Sequence, residues 1–306
     1  MWSTNAFGHA SGGGVMRVEW PTVLLLGACY GLWGLGTTVV AGWSLVAGIA
    51  LVAVAVALYS SLQHEVIHGH PFASQRLNEA LVFPALNLVI PYIRFRDTHL
   101  AHHRDANLTD PYDDPESNFL TSAQWRGLPG SVRAVLRFNN TLAGRLLVGP
   151  VVAQVMFTRS DWQQGGAQVR HGWLLHGAGV ALVLGWLWTV GQMPLWAYGV
   201  AAYISLSIVK IRTFLEHQAH EKARGRTVII EDRGLLALLF LNNNFHAVHH
   251  MHPGVPWYRL PALYARGRAR FLRCNEGYVY RSYAEIFRQY FWRAKDEVAH
   301  PLWHRD

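Results

Sequence analysis

Charged residues and cysteine are both scarce in this sequence. Only 15% of its 306 residues are charged, whereas 51% are hydrophobic and 13 are tryptophan. This composition is too apolar for an ordinary soluble domain. The two cysteines, Cys29 and Cys274, lie far apart, which argues against a disulfide framework and a cysteine-based metal site. The sequence also lacks a nucleophilic serine or cysteine motif and a phosphate-binding loop.

Long apolar runs are present instead. A helix needs about 20 apolar residues to cross a bilayer, and four runs approach that length in two closely spaced pairs. The sequence therefore predicts an all-α integral membrane protein, one domain over 1–306, with four transmembrane helices in two hairpins and a cytoplasmic helical cap. The four predicted spans are 23–40, 45–62, 173–190 and 195–211. Two shorter runs, 80–93 and 142–157, contain prolines and are predicted to be interfacial or re-entrant.

Basic residues are absent from both hairpin connectors. The chain carries a net charge of +8, yet none of its 27 Lys and Arg residues lies in 41–44 or 191–194. The positive-inside rule then places both termini and the segments 63–172 and 212–306 in the cytoplasm. The charge excess is thus interpreted as a topology signal rather than as a nucleic-acid site, and we expect a multi-pass protein of a bacterial inner membrane.

Histidines cluster after the predicted spans. Eight of the 17 fall into three boxes, HEVIH at 64–68, HLAHH at 99–103 and HAVHH at 246–250. Residues three and four apart share a helix face, so each box directs imidazoles towards one point. Neutral imidazole binds iron, zinc and copper well, and this number of ligands exceeds the need of one tetrahedral ion. Two metals are predicted, with these ligands: His64, His68, His99, His102, His103, His217, His246, His249 and His250.

Other polar residues near the boxes have secondary roles or none. His217 is the predicted ninth ligand, and His220 is the alternative. Bound histidines need an acceptor for the second ring nitrogen; the candidates are Glu65, Asp97, Glu216 and Asn244. The acidic loop DPYDDPES at 110–117 is predicted to support the metal site rather than to bind Ca²⁺ or Mg²⁺. His70 and His252 are interpreted as loop residues, and His9, His300 and His304 as tail residues.

The set HxxxH, HxxHH, lone His and HxxHH after transmembrane hairpins resembles the membrane fatty acid desaturase and hydroxylase superfamily. The segment NNNFHAVHHMHPGVPWYRLP, 242–261, looks like bacterial desaturases, whereas HEVIHGH and RTFLEH are similar to carotenoid ketolases. This resemblance implies a centre of two non-haem iron ions, dioxygen as oxidant and oxidation of a C–H bond. Its expected product is a double bond in a fatty acyl chain or similar lipid.

Two departures keep other reactions open. Acyl-CoA desaturases have HxxxxH as the first box and an Asn four residues before the lone histidine, where this chain has HxxxH and Thr213. A lipid hydroxylase or ketolase, or a desaturase of a small non-lipid molecule, therefore remains an alternative. A membrane metal transporter or sensor is the non-enzyme alternative, but the predicted spans contain only His176 and Lys210 as ionisable candidates, fewer than transport would require.

Electrons are expected from outside the chain. The sequence contains no haem or ferredoxin domain, so the resemblance implies a separate electron-transfer protein such as a ferredoxin with its reductase. The segment 264–295 alternates arginines with aromatic residues. It is predicted to lie on the membrane surface or to dock an acidic ferredoxin, rather than to bind nucleic acid.

Overall fold

A computed structural model describes residues 18–105 and 107–303. The described part is mostly helical, as predicted for an all-α protein. Its α-helices are α1 Trp20–Leu35, α2 Ala41–Trp43, α3 Leu45–Ile67, α4 Gln75–Leu81, α5 Tyr92–Arg104, α6 Ser122–Gly127, α7 Gly130–Asn139, α8 Leu142–Leu147, α9 Gly149–Gln164, α10 Gly166–Thr189, α11 Leu195–Thr213, α12 Leu235–Leu239, α13 His246–Met251, α14 Leu260–Cys274 and α15 Tyr283–Tyr290.

Short elements of other types complete the description. A π-helix, Gly36–Val40, joins α1 to α2, and 3₁₀ turns occupy Ala223–Arg226 and Trp257–Arg259. Two short strands, β1 Ile229–Ile230 and β2 Val279–Tyr280, pair in parallel, with Ile229 opposite Val279. This pairing is a small exception to the predicted all-α fold, and it ties the segment before α13 to the segment after α14.

Three helical stretches are long and apolar enough to cross a membrane: Trp20–Trp43, Leu45–Ile67 and Gly166–Thr189. They coincide with three of the four predicted spans. The fourth predicted span forms α11, which packs against α3 but carries Lys210 and Arg212 in its last turn. The four-span arrangement and the cytoplasmic cap therefore remain predictions.

The first hairpin is closed by capping and by small residues. Pro21 stands in the first turn of α1, where its missing N–H costs no helical hydrogen bond. Ser44 caps α3, since its hydroxyl accepts from the Ala47 N–H. A side chain at Gly36 would place its Cβ 2.7 Å from a methyl group of Val52, so glycine permits the close packing of the π-helix on α3.

The two hairpin connectors lie beside each other. The N–H groups of Gln192 and Met193 donate to the Thr37 carbonyl at 2.8 and 3.1 Å, and the Gln192 side chain reaches Gly42. Both turns thus occupy the same end of the helix bundle. The histidine-bearing ends of the helices lie at the other end.

An irregular segment, 82–91, runs among the helices rather than along a surface. Val82 and Leu86 are fully buried in the same core as α1, α3 and α11. Its carbonyl groups are satisfied by helix side chains: Tyr59 donates to Val82, Tyr198 to Leu86, and Gln154 to Val89. Non-helical backbone at membrane depth is tolerated only when protein groups supply such partners.

Candidate metal centre

The nine predicted ligands come from four places in the fold. His64 lies in the last turn of α3 and His68 caps that helix; α5 supplies three histidines and α13 another three. His217 follows α11 in a short extended stretch that bridges to Thr227. Within residues 18–105 and 107–303 these nine side chains form two groups that could each hold a metal: His64, His68, His99, His103 and His249 in the first, and His102, His217, His246 and His250 in the second.

In the first group the ring nitrogens converge on one point. The Nε2 atoms of His68 and His99 are 3.2 Å apart, as are those of His249 and His103. The Nε2 atom of His64 is buried without a hydrogen-bond partner among the described residues. Two imidazoles that bind one ion at about 2.1 Å place their nitrogens about 3 Å apart, so this spacing fits a shared metal. The Nε2 atom of His64, which has no hydrogen-bond partner in the described part of the chain, is then available as the fifth ligand of this metal.

The second group has the same geometry with four imidazoles. Its Nε2–Nε2 distances are 3.0 Å for His102 and His217, 3.2 Å for His246 and His217, and 3.1 Å for His250 and His246. A neutral imidazole has one N–H. In several of these histidines Nδ1 carries that hydrogen, which leaves a lone pair on Nε2. The short Nε2–Nε2 distances therefore indicate lone pairs that converge. The four nitrogens thus outline a second ion site.

The two groups touch, and the HxxHH boxes explain how. The rings of His103 and His250 stack, with centroids 4.2 Å apart and an angle of 12°. In the second box His99 and His103, four residues apart, join the first group, while His102 joins the second. In the third box His246 and His250 join the second group and His249 joins the first. Each HxxHH helix therefore contributes to both sites, because i and i+4 differ by only about 40° around the helix whereas i+3 and i+4 differ by about 100°. The expectation that each box directs all its imidazoles towards one point is wrong for these two boxes.

Burial keeps most of these imidazoles neutral. Burial and the neighbouring histidines hold the pKa of His217, His246, His249 and His250 well below the usual range. Neutral rings offer the lone pair that a metal requires. His102 differs: burial lowers its pKa, but Glu116 and Asp114 more than offset this and raise it to about 9. A metal at its Nε2 would displace one proton.

The second ring nitrogens have acceptors. The Nδ1 atom of His102 lies 2.8 Å from Asp114 Oδ1, and that of His99 lies 3.1 Å from Glu116 Oε1. His246 Nδ1 lies 3.2 Å from Asn243 Oδ1. An Nδ1–H held in this way leaves Nε2 free for a metal and fixes the ring. His217 makes a longer contact, 3.4 Å, with the Thr227 hydroxyl.

Sequence reasoning missed most of these acceptors. Glu216, one of its four candidates, lies 3.9 Å from His246 Nδ1 and acts mainly through Asn243, whose amide donates to it at 3.1 Å. Glu65 accepts from the Trp257 N–H, and Asp97 pairs with Arg96 at 2.9 Å. The amide of Asn244 donates to the backbone of Ile230. Glu65, Asp97 and Asn244 therefore stabilise surrounding segments rather than the histidine rings.

The acidic loop 110–117 supplies Asp114 and Glu116. It was predicted to support the site, but the sequence gives no sign of which of its acids point inward. Asp114 is fixed by the Thr109 N–H, which donates at 2.8 Å, and by the Glu116 N–H at 2.9 Å. Burial raises the pKa of Glu116, but His99 and His102 more than offset this and hold it at about 2. The carboxylate is therefore charged beside the two groups.

The other histidines among residues 18–105 and 107–303 lie outside both groups. His220 contacts the backbone of Lys222, and His70 pairs with Glu19 at 2.9 Å. His300 is not a tail residue as expected: it is fully buried and lies 3.2 Å from the Thr109 hydroxyl. His9 and His304 lie outside the described residues.

Comparison with known proteins agrees with this geometry. A family model described as fatty acid desaturase matches residues 41–283, a range that includes both histidine groups. The chain belongs to this family, within the membrane desaturase and hydroxylase superfamily. It is also 26% identical over 219 residues to a beta-carotene ketolase of Paracoccus sp. (strain N81106 / MBIC 01143), which covers 68% of this chain and 72% of that enzyme. The protein is accordingly an oxidoreductase of the desaturase and hydroxylase type, and neither match favours a transporter or sensor.

Proposed function

We propose that the protein is an oxygen-dependent oxidase with two iron ions, which oxidises a C–H bond of a lipid. The observation that carries this proposal is the division of nine histidines, five buried and four half-buried, into two touching groups of five and four. Iron accepts imidazole ligands in these numbers, whereas one or two tetrahedral zinc ions need fewer. With dioxygen and electrons, bound iron would supply the oxidising chemistry.

The protein's own residues prepare the site. Asp114, Glu116 and Asn243 hold the Nδ1–H groups and so fix which nitrogen faces each ion. Five of the nine histidines are buried and four are half-buried, and residues of α3 and α13 beside them belong to apolar cores. A dry site directs the oxidant to the substrate and limits side reactions.

The position of the first box supports a lipid substrate. α3 is a candidate membrane span, and it carries His64 on its last turn. A substrate chain lying among the helices would thus meet the metal site where the span ends. We favour a fatty acyl chain or similar lipid as substrate and loss of two hydrogens as the reaction, in keeping with the family match and with the resemblance of 242–261 to desaturases.

Oxygen insertion is the second candidate reaction. The similarity to a beta-carotene ketolase favours it, because that enzyme's name denotes the formation of a keto group. Desaturation and hydroxylation share the same metal centre in this superfamily. A difference of about an ångström in substrate position is enough to change such an outcome.

The proposal includes a membrane arrangement. Four spans with both termini and the metal centre in the cytoplasm agree with the absence of Lys and Arg from both connectors and with the contact between those connectors. Under this arrangement a soluble electron donor, such as a ferredoxin with its reductase, reaches the metal centre from the cytoplasm.

The test is product identification. The chain is expressed in a host of defined lipid composition, and the lipids are compared by mass spectrometry with those of a host that expresses the His102→Ala variant. We expect an oxygen-dependent product that has lost two hydrogens, or gained one oxygen if the second candidate is right. A product formed equally well without oxygen would refute both reactions.

A further inference from the structure

One exposed face of α14 is basic and carries no large apolar side chain. Its exposed residues are Ala262, Ala265, Arg266, Arg268, Ala269, Arg270 and Arg273. Arg268 pairs with Glu231 at 2.6 Å. The other three arginines, Arg266, Arg270 and Arg273, form no ion pair with any residue of the described chain. They are available to an anionic partner, and we call them the arginine face.

The arginine face lies directly behind the helix that carries the third histidine box. Tyr264 and Phe271 of α14 pack in one core with Phe245 and Val248, which flank and belong to α13. Packed helices have axes about 8–10 Å apart. A partner on the arginine face would therefore be separated from the ligands of α13 by little more than the thickness of α14.

The composition of the face favours a protein over a lipid surface. A helix that lies on a bilayer presents large apolar side chains beside its basic ones, and α9 does so with exposed Val151, Val155 and Trp162. Between its arginines α14 exposes only alanines. Small side chains allow close approach of another protein, and guanidinium groups pair with carboxylates.

We propose that the arginine face is the docking surface for the acidic face of a soluble electron-transfer protein. This inference rests on the proposed function, because the donor is oxidised there as the metal centre is reduced through α13. Charge complementarity of this kind accelerates association and weakens as salt is added.

The test uses the full-length iron-loaded protein in nanodiscs and an acidic plant-type ferredoxin as probe. The variant Arg266→Glu/Arg270→Glu/Arg273→Glu is compared with a control of equal charge change, Arg76→Glu/Arg126→Glu/Arg159→Glu, whose arginines are exposed on α4, α6 and α9. Binding is measured by surface plasmon resonance at low and high salt. Reduction by ferredoxin and by dithionite is followed by stopped flow.

We expect the arginine-face variant to weaken ferredoxin binding by at least about tenfold, since three attractive charges are lost and their reversal adds repulsion. Its reduction by dithionite should be unchanged, and the control should bind like the wild type. Equal weakening in both variants, salt-independent binding, or no binding by the wild type would overturn the inference. The inference would also be overturned if the arginine-face variant bound ferredoxin normally but, in a parallel measurement, no longer bound anionic lipid vesicles. Normal docking and reduction with no lipid product would instead count against the proposed function.

Discussion

At the scale of single residues, the spacing of the histidines decides which ion each one faces. His64 and His68, His99 and His103, and His246 and His250 are all pairs four apart, and each pair stays in one group. Their convergence could be predicted from the sequence because helical periodicity is local. The acceptors could not, since Asp114 reaches His102 through the turns of a loop whose path depends on distant contacts.

Replacement of Asp114 tests the role of these acceptors. In Asp114→Ala the Nδ1–H of His102 loses its acceptor, so the ring is no longer fixed. We expect iron affinity to fall roughly 10- to 100-fold, the usual effect of removing such a partner. Chelator competition measures it. The matched control is Asp97→Ala, whose carboxylate pairs with Arg96 instead, and an equal loss in both variants would contradict the assignment.

At the scale of elements, the irregular segment 82–91 is held among the helices by tyrosine hydroxyls. The two prolines and the short apolar run allowed the prediction that this segment does not span the membrane as a helix. The sequence could not reveal its partners, because Tyr59 and Tyr198 come from helices far along the chain. The segment depends on them, since an unpaired carbonyl in an apolar core is costly.

Removal of the Tyr59 hydroxyl should destabilise this packing. Tyr59 is fully buried and donates within reach of both the Val82 and the Pro84 carbonyl. Tyr59→Phe removes the donor of the Val82 carbonyl, whereas the Pro84 carbonyl still accepts from the Leu86 N–H. The loss should cost about 1–3 kcal/mol and lower the Tm in detergent. Tyr203→Phe is the control, because Tyr203 is partly exposed. A Tm change that is no larger for Tyr59→Phe than for the control would be inconsistent with this account.

A second element, the C-terminal segment 291–303, fastens the four-histidine group. The Lys295 ammonium donates to the carbonyls of Phe214 and His217. The same segment pairs with the backbone of Leu120 beyond the acidic loop. His300 contacts the hydroxyl of Thr109, whose backbone N–H donates to Asp114. The loop and the ninth ligand are therefore positioned by this segment, in which only His300 was expected to be a tail residue and Lys295 was assigned to the membrane surface or to a docking site.

Loss of the Lys295 ammonium should affect one ion more than the other. In Lys295→Met the His217 backbone is released, so we expect iron loss chiefly from the four-histidine group, visible as unequal site occupancy in Mössbauer spectra. Lys295→Arg should restore part of it. The control is Lys222→Met, whose ammonium pairs with Glu276 at an exposed position. Equal loss from both sites, or none, would argue against a positioning role.

At the scale of the whole molecule, the two hairpins place both connectors at one end of the bundle and the histidines at the other. Charge distribution predicted this arrangement because basic residues resist translocation. Three spans could be recognised by length and apolarity alone. The fourth predicted span, α11, is not among them; it ends in Lys210 and Arg212 and packs on α3.

Reporter fusions test the arrangement. Reporters at Gly42 and Gln192 should be external and a reporter at the C-terminus internal, because these connectors carry no Lys or Arg and touch each other. Fusions should be assayed in pairs that are active on opposite sides of the membrane. External connectors together with an external C-terminus would rule out four spans, since the chain after Gln192 would then cross the membrane an even number of times instead of once.

The number and kind of metal ions per chain tests the central claim most directly. Protein produced with ample iron should contain two irons per chain, because five and four imidazoles converge on separate points and suit iron. His217→Ala should lower that number, whereas His220→Ala should leave it unchanged, since His220 lies outside both groups. Stoichiometric zinc, a single iron, or a loss of metal with His220→Ala but not with His217→Ala would contradict the account.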